Sequence, residues 1–172
     1  MIKLVNLLKE ITEGKQVGTL YHWTSYKNLY SIINLNSLIP SLTTDFNSER
    51  KTKSEEKCIS FTRSKDKSQF LISQDSPCVL ILDGDKLSNN YKITPNHDIN
   101  PHYEDDNEYD YEEYDEMEER VCGREIKNLD KYIINIIFDE KSIKGSYQNE
   151  KEFKKCLRIV KKKNIPYEIK NL

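Results

Sequence analysis

The sequence predicts an α+β fold. Short apolar segments typical of strands are interleaved unevenly with three or four segments of helical period, which argues against a doubly wound parallel sheet. About seven strands are expected from these segments. The chain has 172 residues, enough for one domain with a substantial core, so we predict a single domain over residues 1–172.

Two early segments carry leucine and isoleucine at spacings of three and four. They predict an amphipathic helix over residues 3–13 and a second helix that Thr24 or Ser25 caps and Asn36 ends. Between the strands we expect a loop over residues 43–57 and a helical or irregular stretch over 64–74. A helical turn is predicted at 85–87. The strands expected in this half are 17–23, 58–62, 78–82 and 91–94.

The second half of the chain begins with a polar, tyrosine-rich segment, which predicts an acidic loop over residues 101–117. A strand is expected at 120–122, and the most apolar run of the chain predicts a central strand at 132–138. Phe153, Leu157 and Val160 predict an amphipathic helix over 150–163, followed by a terminal strand at 165–169.

The net charge of -2 conceals two regions of opposite sign. Residues 104–119 contain 11 acidic and no basic side chains, which leaves 27 basic against 18 acidic residues in the rest of the chain. A basic body can bind a polyanion, whereas a run of like charge is commonly a solvated segment that can screen such a surface. Charge alone does not decide between these.

Cysteine spacing and the absence of long apolar runs predict the compartment. No CxxC pair is present, so we expect four reduced thiols, Cys58, Cys78, Cys122 and Cys156. No run of 18 apolar residues and no signal-peptide pattern occurs, so we expect a cytoplasmic protein without a membrane partner. The richness in Lys, Ile and Asn is typical of an AT-rich genome, such as that of a bacterium or its phage.

Three residues at element boundaries are candidates for chemistry. His22 ends the first strand, Arg63 follows the second and can bind a phosphate or carboxylate, and Glu118 leads into a later strand. Alternation places Glu118 on the face of Arg120 and Glu119 on that of Val121, so Glu118 is the carboxylate aimed away from the core. Each also has a purely structural explanation: a core histidine, a surface ion pair and the end of an acidic run. No metal-ligand spacing accompanies them, so we predict no metal.

Taken in chain order, these segments resemble the ADP-ribosyltransferase superfamily. Tyr21-His-Trp-Thr24 before a helix is similar to the opening motif of DarT-like nucleic-acid ADP-ribosyltransferases and of the related RNA 2′-phosphotransferases. Ser60-Phe-Thr-Arg63 resembles the strand in which an aromatic residue precedes Arg-Ser in the DarT-like family. Met117-Glu-Glu-Arg-Val-Cys-Gly123 resembles that family's AExxVxG motif, which assigns its catalytic glutamate to Glu118.

The resemblance implies a split β-sandwich that binds NAD in a cleft between two small sheets. Glu118 would hold the nicotinamide ribose and stabilise the positive charge that develops as nicotinamide leaves. His22 and Arg63 would act beside it, with His22 and Thr24 at the ribose and nicotinamide side, Tyr30 or Phe61 stacked on the ring, and Arg63 on the pyrophosphate. The cofactor-binding residues implied are His22, Trp23, Thr24, Tyr30, Ser60, Phe61 and Arg63.

The resemblance also implies a macromolecular acceptor, either nucleic acid or protein, and a toxin-like role in phage–host conflict. The acidic loop favours a basic protein at least as much as DNA, because it repels phosphates. We expect a monomer. Two alternatives remain open: an RNA 2′-phosphotransferase, for which five arginines are few, and a catalytically inactive binding or inhibitor protein with the same fold.

Overall fold

The computed structural model describes residues 17–41, 57–63, 76–96 and 118–172. The first half of the chain contributes β1 (Thr19–Thr24), α1 (Tyr26–Leu35), β2 (Ser37–Leu38), β3 (Cys58–Thr62), β4 (Cys78–Asp83), α2 (Gly84–Ser88) and β5 (Thr94–Asn96). The second half contributes β6 (Glu118–Cys122), β7 (Ile126–Lys127), a 3-10 turn (Leu129–Lys131), β8 (Ile133–Asp139), α3 (Glu140–Lys144), α4 (Tyr147–Lys162) and β9 (Tyr167–Lys170). The α+β class is therefore confirmed.

A seven-stranded sheet organises the molecule, in the order β5-β6-β3-β1-β4-β8-β9. Neighbouring strands are antiparallel except β8 and β9, which run parallel. The remaining strands, β2 and β7, form a separate two-stranded ribbon. β1 is the middle strand of the large sheet, so the motif that contains His22 lies at its centre.

Local sequence explains how α1 and the turn before α2 form. Ser25 caps α1 by accepting a hydrogen bond from the Asn28 backbone N–H at 3.2 Å, and Asn36 ends the helix with a φ of 56°. Gly84 begins α2 where the chain passes close to β1, and its N–H donates to the Gly18 carbonyl at 2.8 Å. A Cβ at position 84 would lie 2.5 Å from that carbonyl oxygen, so glycine is required there.

The main core lies between the large sheet and helices α1 and α4. Phe138 on β8 meets Phe153 on α4 with ring centroids 5.1 Å apart, and Tyr26 on α1 packs against both rings. All three side chains are at least nine-tenths buried. No helix in the described ranges is both long and apolar enough to cross a membrane.

Two cysteines contradict the expectation of four reduced thiols. Cys58 on β3 lies directly opposite Cys122 on β6, and the two form a disulfide. The expectation was wrong because the 64-residue separation gives no sign of the strand register that brings them together. Cys78 and Cys156 are buried free thiols, and burial raises the pKa of Cys156 to about 12.

Several element boundaries differ from those expected. The strand predicted at 91–94 lies at Thr94–Asn96, and α4 begins at Tyr147 because Ser146 caps it by accepting from the Asn149 N–H at 3.1 Å. The β2–β7 ribbon and α3 were not predicted. The predicted helix 3–13, the polar stretches 43–56 and 64–74, and the acidic loop 101–117 lie outside the described residues.

Candidate functional site

Three adjacent strands bring the three candidate motifs together. β1 carries His22, β3 carries Ser60 and Phe61 and leads into Arg63, and β6 begins at Glu118; the sheet order places them side by side as β6-β3-β1. The motifs are far apart in sequence, so this proximity results from the fold. We call His22, Phe61, Arg63 and Glu119 the polar row.

His22 is the best-defined member of the polar row. Its Nδ1 lies 3.0 Å from the Ser60 carbonyl oxygen, and its ring centroid is 5.8 Å from that of Phe61. A carbonyl oxygen only accepts, so Nδ1 carries the proton. Burial lowers the pKa of His22, and the Ser60 hydrogen bond opposes that shift in part. The ring is therefore neutral at pH 7, with Nε2 as an acceptor.

An ion pair joins the ends of β3 and β6. The Arg63 guanidinium donates to Glu119 Oε1, with 22% of the arginine side chain and 2% of the glutamate side chain exposed. Desolvating a carboxylate to this degree is costly, and the guanidinium compensates for that cost in part. A glutamate this deeply buried is rare unless it is paired, and charged groups that are buried in this way occur at functional sites, which makes this pair a candidate.

The register identifies which glutamate shares a face with His22. Glu119 is paired with Phe61, and Tyr21 is paired with Thr62, so strand alternation places Glu119, Phe61 and His22 on one face of the sheet. Val121, which is also buried, lies on that face, as alternation predicted for Glu119 and Val121. Glu118 is paired along the backbone with Thr62 on β3 and with Asn96 on β5.

The structure separates the two residues that follow His22. Thr24 shares the face of His22 and is 6% exposed, whereas Trp23 lies on the opposite face. The Trp23 indole N–H is buried and has no hydrogen-bond partner among the described residues. Of these two residues, Thr24 lies on the face of β1 that carries His22 and Trp23 does not. A cofactor contact by Trp23 remains a prediction.

The two aromatic candidates for stacking occupy different surroundings. Phe61 is 1% exposed and supports the ring of His22. Tyr30 lies on α1, where the Lys155 ammonium stands 4.2 Å from its ring centroid. Stacking on nicotinamide by either residue stays a prediction. Tyr30 would first have to lose its contact with Lys155 before its ring could stack on a ligand.

The polar row offers one hydrogen-bond acceptor and one cation to a ligand. A neutral imidazole with a free Nε2 acceptor can receive a hydrogen bond from a ribose hydroxyl, and a guanidinium can bind a pyrophosphate. In the described ranges no three His, Cys, Asp or Glu side chains converge as metal ligands. The Arg63–Glu119 pair itself was missed by sequence reasoning, which assigned Glu119 to the core face but gave it no partner.

No protein-family model matches the chain, and no curated protein matches it either.

Proposed function

We propose that the protein is an NAD-dependent ADP-ribosyltransferase that modifies a macromolecule. The observation that carries the proposal is the placement of three separated motifs on the adjacent strands β6, β3 and β1. Their order along the chain resembles that of the DarT-like ADP-ribosyltransferases. The finer fold, a split β-sandwich of the same superfamily, is part of the proposal; the described strands form one seven-stranded sheet and a ribbon.

In this proposal each polar residue has a distinct role. Nε2 of His22 accepts a hydrogen bond from a ribose hydroxyl, because the Ser60 carbonyl holds the proton on Nδ1. The resemblance assigns to Glu118 the stabilisation of the positive charge that develops on the ribose as nicotinamide departs, and the role of general base toward the acceptor, although the register groups Glu119 rather than Glu118 with His22. NAD supplies the transferred ADP-ribose.

Arg63 and Glu119 act as a unit in the same proposal. Glu119 is buried and fixes the guanidinium of Arg63, so it positions Arg63 toward the pyrophosphate and does not itself contact the substrate. Thr24, on the same face as His22, lines the ribose side. The acceptor is a nucleic acid or a protein, and a cytoplasmic role in phage–host conflict belongs to the same proposal.

The test follows transfer of label from NAD. The purified full chain is incubated with NAD labelled in its adenylate phosphate and with separate protein, DNA and RNA fractions of a bacterial lysate. Label is expected on one fraction, and Glu118→Gln should reduce it at least 100-fold, the order expected when a group that stabilises transition-state charge is removed. Glu140→Gln, an exposed carboxylate on α3, is the matched control and should retain full transfer.

Glu119→Gln separates the two neighbouring glutamates. If Glu118→Gln is active and a folded Glu119→Gln is inactive, the catalytic role belongs to Glu119 and the proposed role of Glu118 is wrong. Label on no fraction, together with no thermal stabilisation by NAD, would overturn the transferase and favour a binding protein that keeps the fold.

A further inference from the structure

A cavity outside the polar row is lined mainly by positively charged side chains. It has a volume of about 440 Å³, within the range of about 300–1,000 Å³ that small-ligand sites occupy. Its lining comes from α2 and the segment after it, and from the connection between β6 and β8. The charged lining residues are Lys86, Arg124, Lys127 and Lys131, opposed by the single carboxylate of Glu125.

The cations of this cavity, which we call the basic cavity, are poorly neutralised by the carboxylates that the structure describes. Lys127 lies 3.8 Å from Glu125, and over the described ranges Lys86, Arg124 and Lys131 form no ion pair with a carboxylate. Like charges gathered around one concave surface repel one another and create a positive potential that attracts an anion. The cavity therefore favours an anion with more charge than Glu125 supplies.

Tyr91, which packs against Tyr132, holds the arginine of the basic cavity in place. The Arg124 guanidinium stands 4.6 Å from the ring centroid of Tyr91, and one of its N–H groups donates to the Asn90 carbonyl. The Tyr91 hydroxyl accepts from the Lys127 backbone N–H at 2.9 Å, and its ring meets Tyr132 edge-on at 6.1 Å. Guanidinium carries five donors, so others remain for a ligand.

We propose that the basic cavity binds a small ligand with two linked phosphates, of the class of nucleoside diphosphates. Four cations against one carboxylate leave an excess of three positive charges, and a single phosphate monoester carries only about -2. A fixed guanidinium binds phosphate oxygens in a bidentate fashion, and lysines add point charges. The proposal does not depend on ADP-ribosyl transfer.

The site is distinct from the polar row by its residues. None of the residues that line the basic cavity belongs to the polar row, and the cavity contains neither β1 nor β3. Arg124 follows β6 beyond Gly123, which has a φ of 76° and turns the chain away from the sheet. A ligand bound there is therefore recognised without His22.

Calorimetric titration of the full chain tests the proposal, with ADP, inorganic pyrophosphate and adenosine as probes. ADP and pyrophosphate should bind and adenosine should not. Arg124→Gln and Lys131→Gln should each lower the affinity for ADP at least 10-fold, whereas Lys131→Arg should retain the wild-type affinity. Lys162→Gln, an exposed cation on α4, is the matched control and should change the affinity less than twofold.

Two further titrations locate the site and identify the source of the phosphates. His22→Gln should leave pyrophosphate and ADP binding unchanged; loss of both in this variant would place the ligand at the polar row and overturn the proposal. Equal weakening by Lys162→Gln and Arg124→Gln would also overturn it, because the binding would then follow overall charge. If a twelve-nucleotide oligothymidylate binds and ADP does not, the proposal of a small ligand is wrong and the cavity binds a polynucleotide strand.

Discussion

The two sides of the central strand β1 are built from different interactions. On one side, β4 and β8 present fully buried apolar side chains, among them Leu80, Ile136 and Phe138, to helices α1 and α4. On the other side, β3 and β6 contribute the Arg63–Glu119 ion pair of the polar row and a disulfide. The apolar side stabilises the fold through burial. The polar side contains groups whose burial costs free energy, and this is the arrangement expected where function constrains the sequence.

The largest stability loss is expected on the apolar side. Phe138 is fully buried among Tyr26, Phe153 and Tyr167, so Phe138→Ala leaves a cavity and should lower the free energy of unfolding by up to about 5 kcal/mol. Urea unfolding measures it. Ile134→Ala, on the same strand but 46% exposed, should cost less than about 1 kcal/mol. Similar losses for both variants would contradict the burial of Phe138 in the apolar core.

The disulfide is expected to contribute nearly as much on the polar side. It closes a loop across a sequence separation of 64, for which chain entropy gives about 4 kcal/mol. The free energy of unfolding of the double variant Cys58→Ser, Cys122→Ser should be lower by that amount, and adding a reductant should then cause no further loss of stability. Thiol labelling of the unreduced, denatured protein should modify Cys78 and Cys156 alone. Labelling of all four would show that the pair is reduced, as disulfides usually are in the cytoplasm.

The ion pair should respond differently to single and double substitution. Arg63→Met leaves the buried Glu119 carboxylate without its guanidinium and should cost about 3 kcal/mol, at the low end of the range because Arg63 is 22% exposed. Arg63→Met combined with Glu119→Leu should recover most of this loss, since no buried charge then remains. Urea unfolding of the four proteins gives the coupling. Additive losses would show that the pair is not coupled.

The smallest effect is a dependence of stability on pH. Burial lowers the pKa of folded His22 below its unfolded value of 6.5, so below pH 6.5 the unfolded chain binds the proton more readily. The contribution of His22 is therefore fully present above pH 6.5 and is lost as pH falls, by at most about 1.4 kcal/mol per pH unit. His22→Gln should flatten the unfolding free energy between pH 7 and 5, whereas Glu140→Gln should not. An unchanged slope in His22→Gln would contradict the burial of the ring.

The sequence predicted the apolar side better than the polar side, for a physical reason. The strands 78–82 and 132–138 and the helix after Ser25 were predicted closely, because hydrophobic period and capping residues are local signals. The Cys58–Cys122 bond and the Arg63–Glu119 pair depend on the register between β3 and β6, which no local pattern specifies. The basic cavity was missed for the same reason, since Lys86 and Arg124 come from separate segments.

The most direct test of the central claim is release of nicotinamide from NAD by the purified chain and its lysate acceptor fraction. The wild type and Glu140→Gln should release nicotinamide in step with label transfer, and Glu118→Gln and His22→Gln should release far less although urea unfolding at pH 7.5 shows that both variants are folded. Equal release by the wild type, Glu118→Gln and His22→Gln would contradict the account. The polar side of the sheet would then be a structural arrangement without the proposed chemistry.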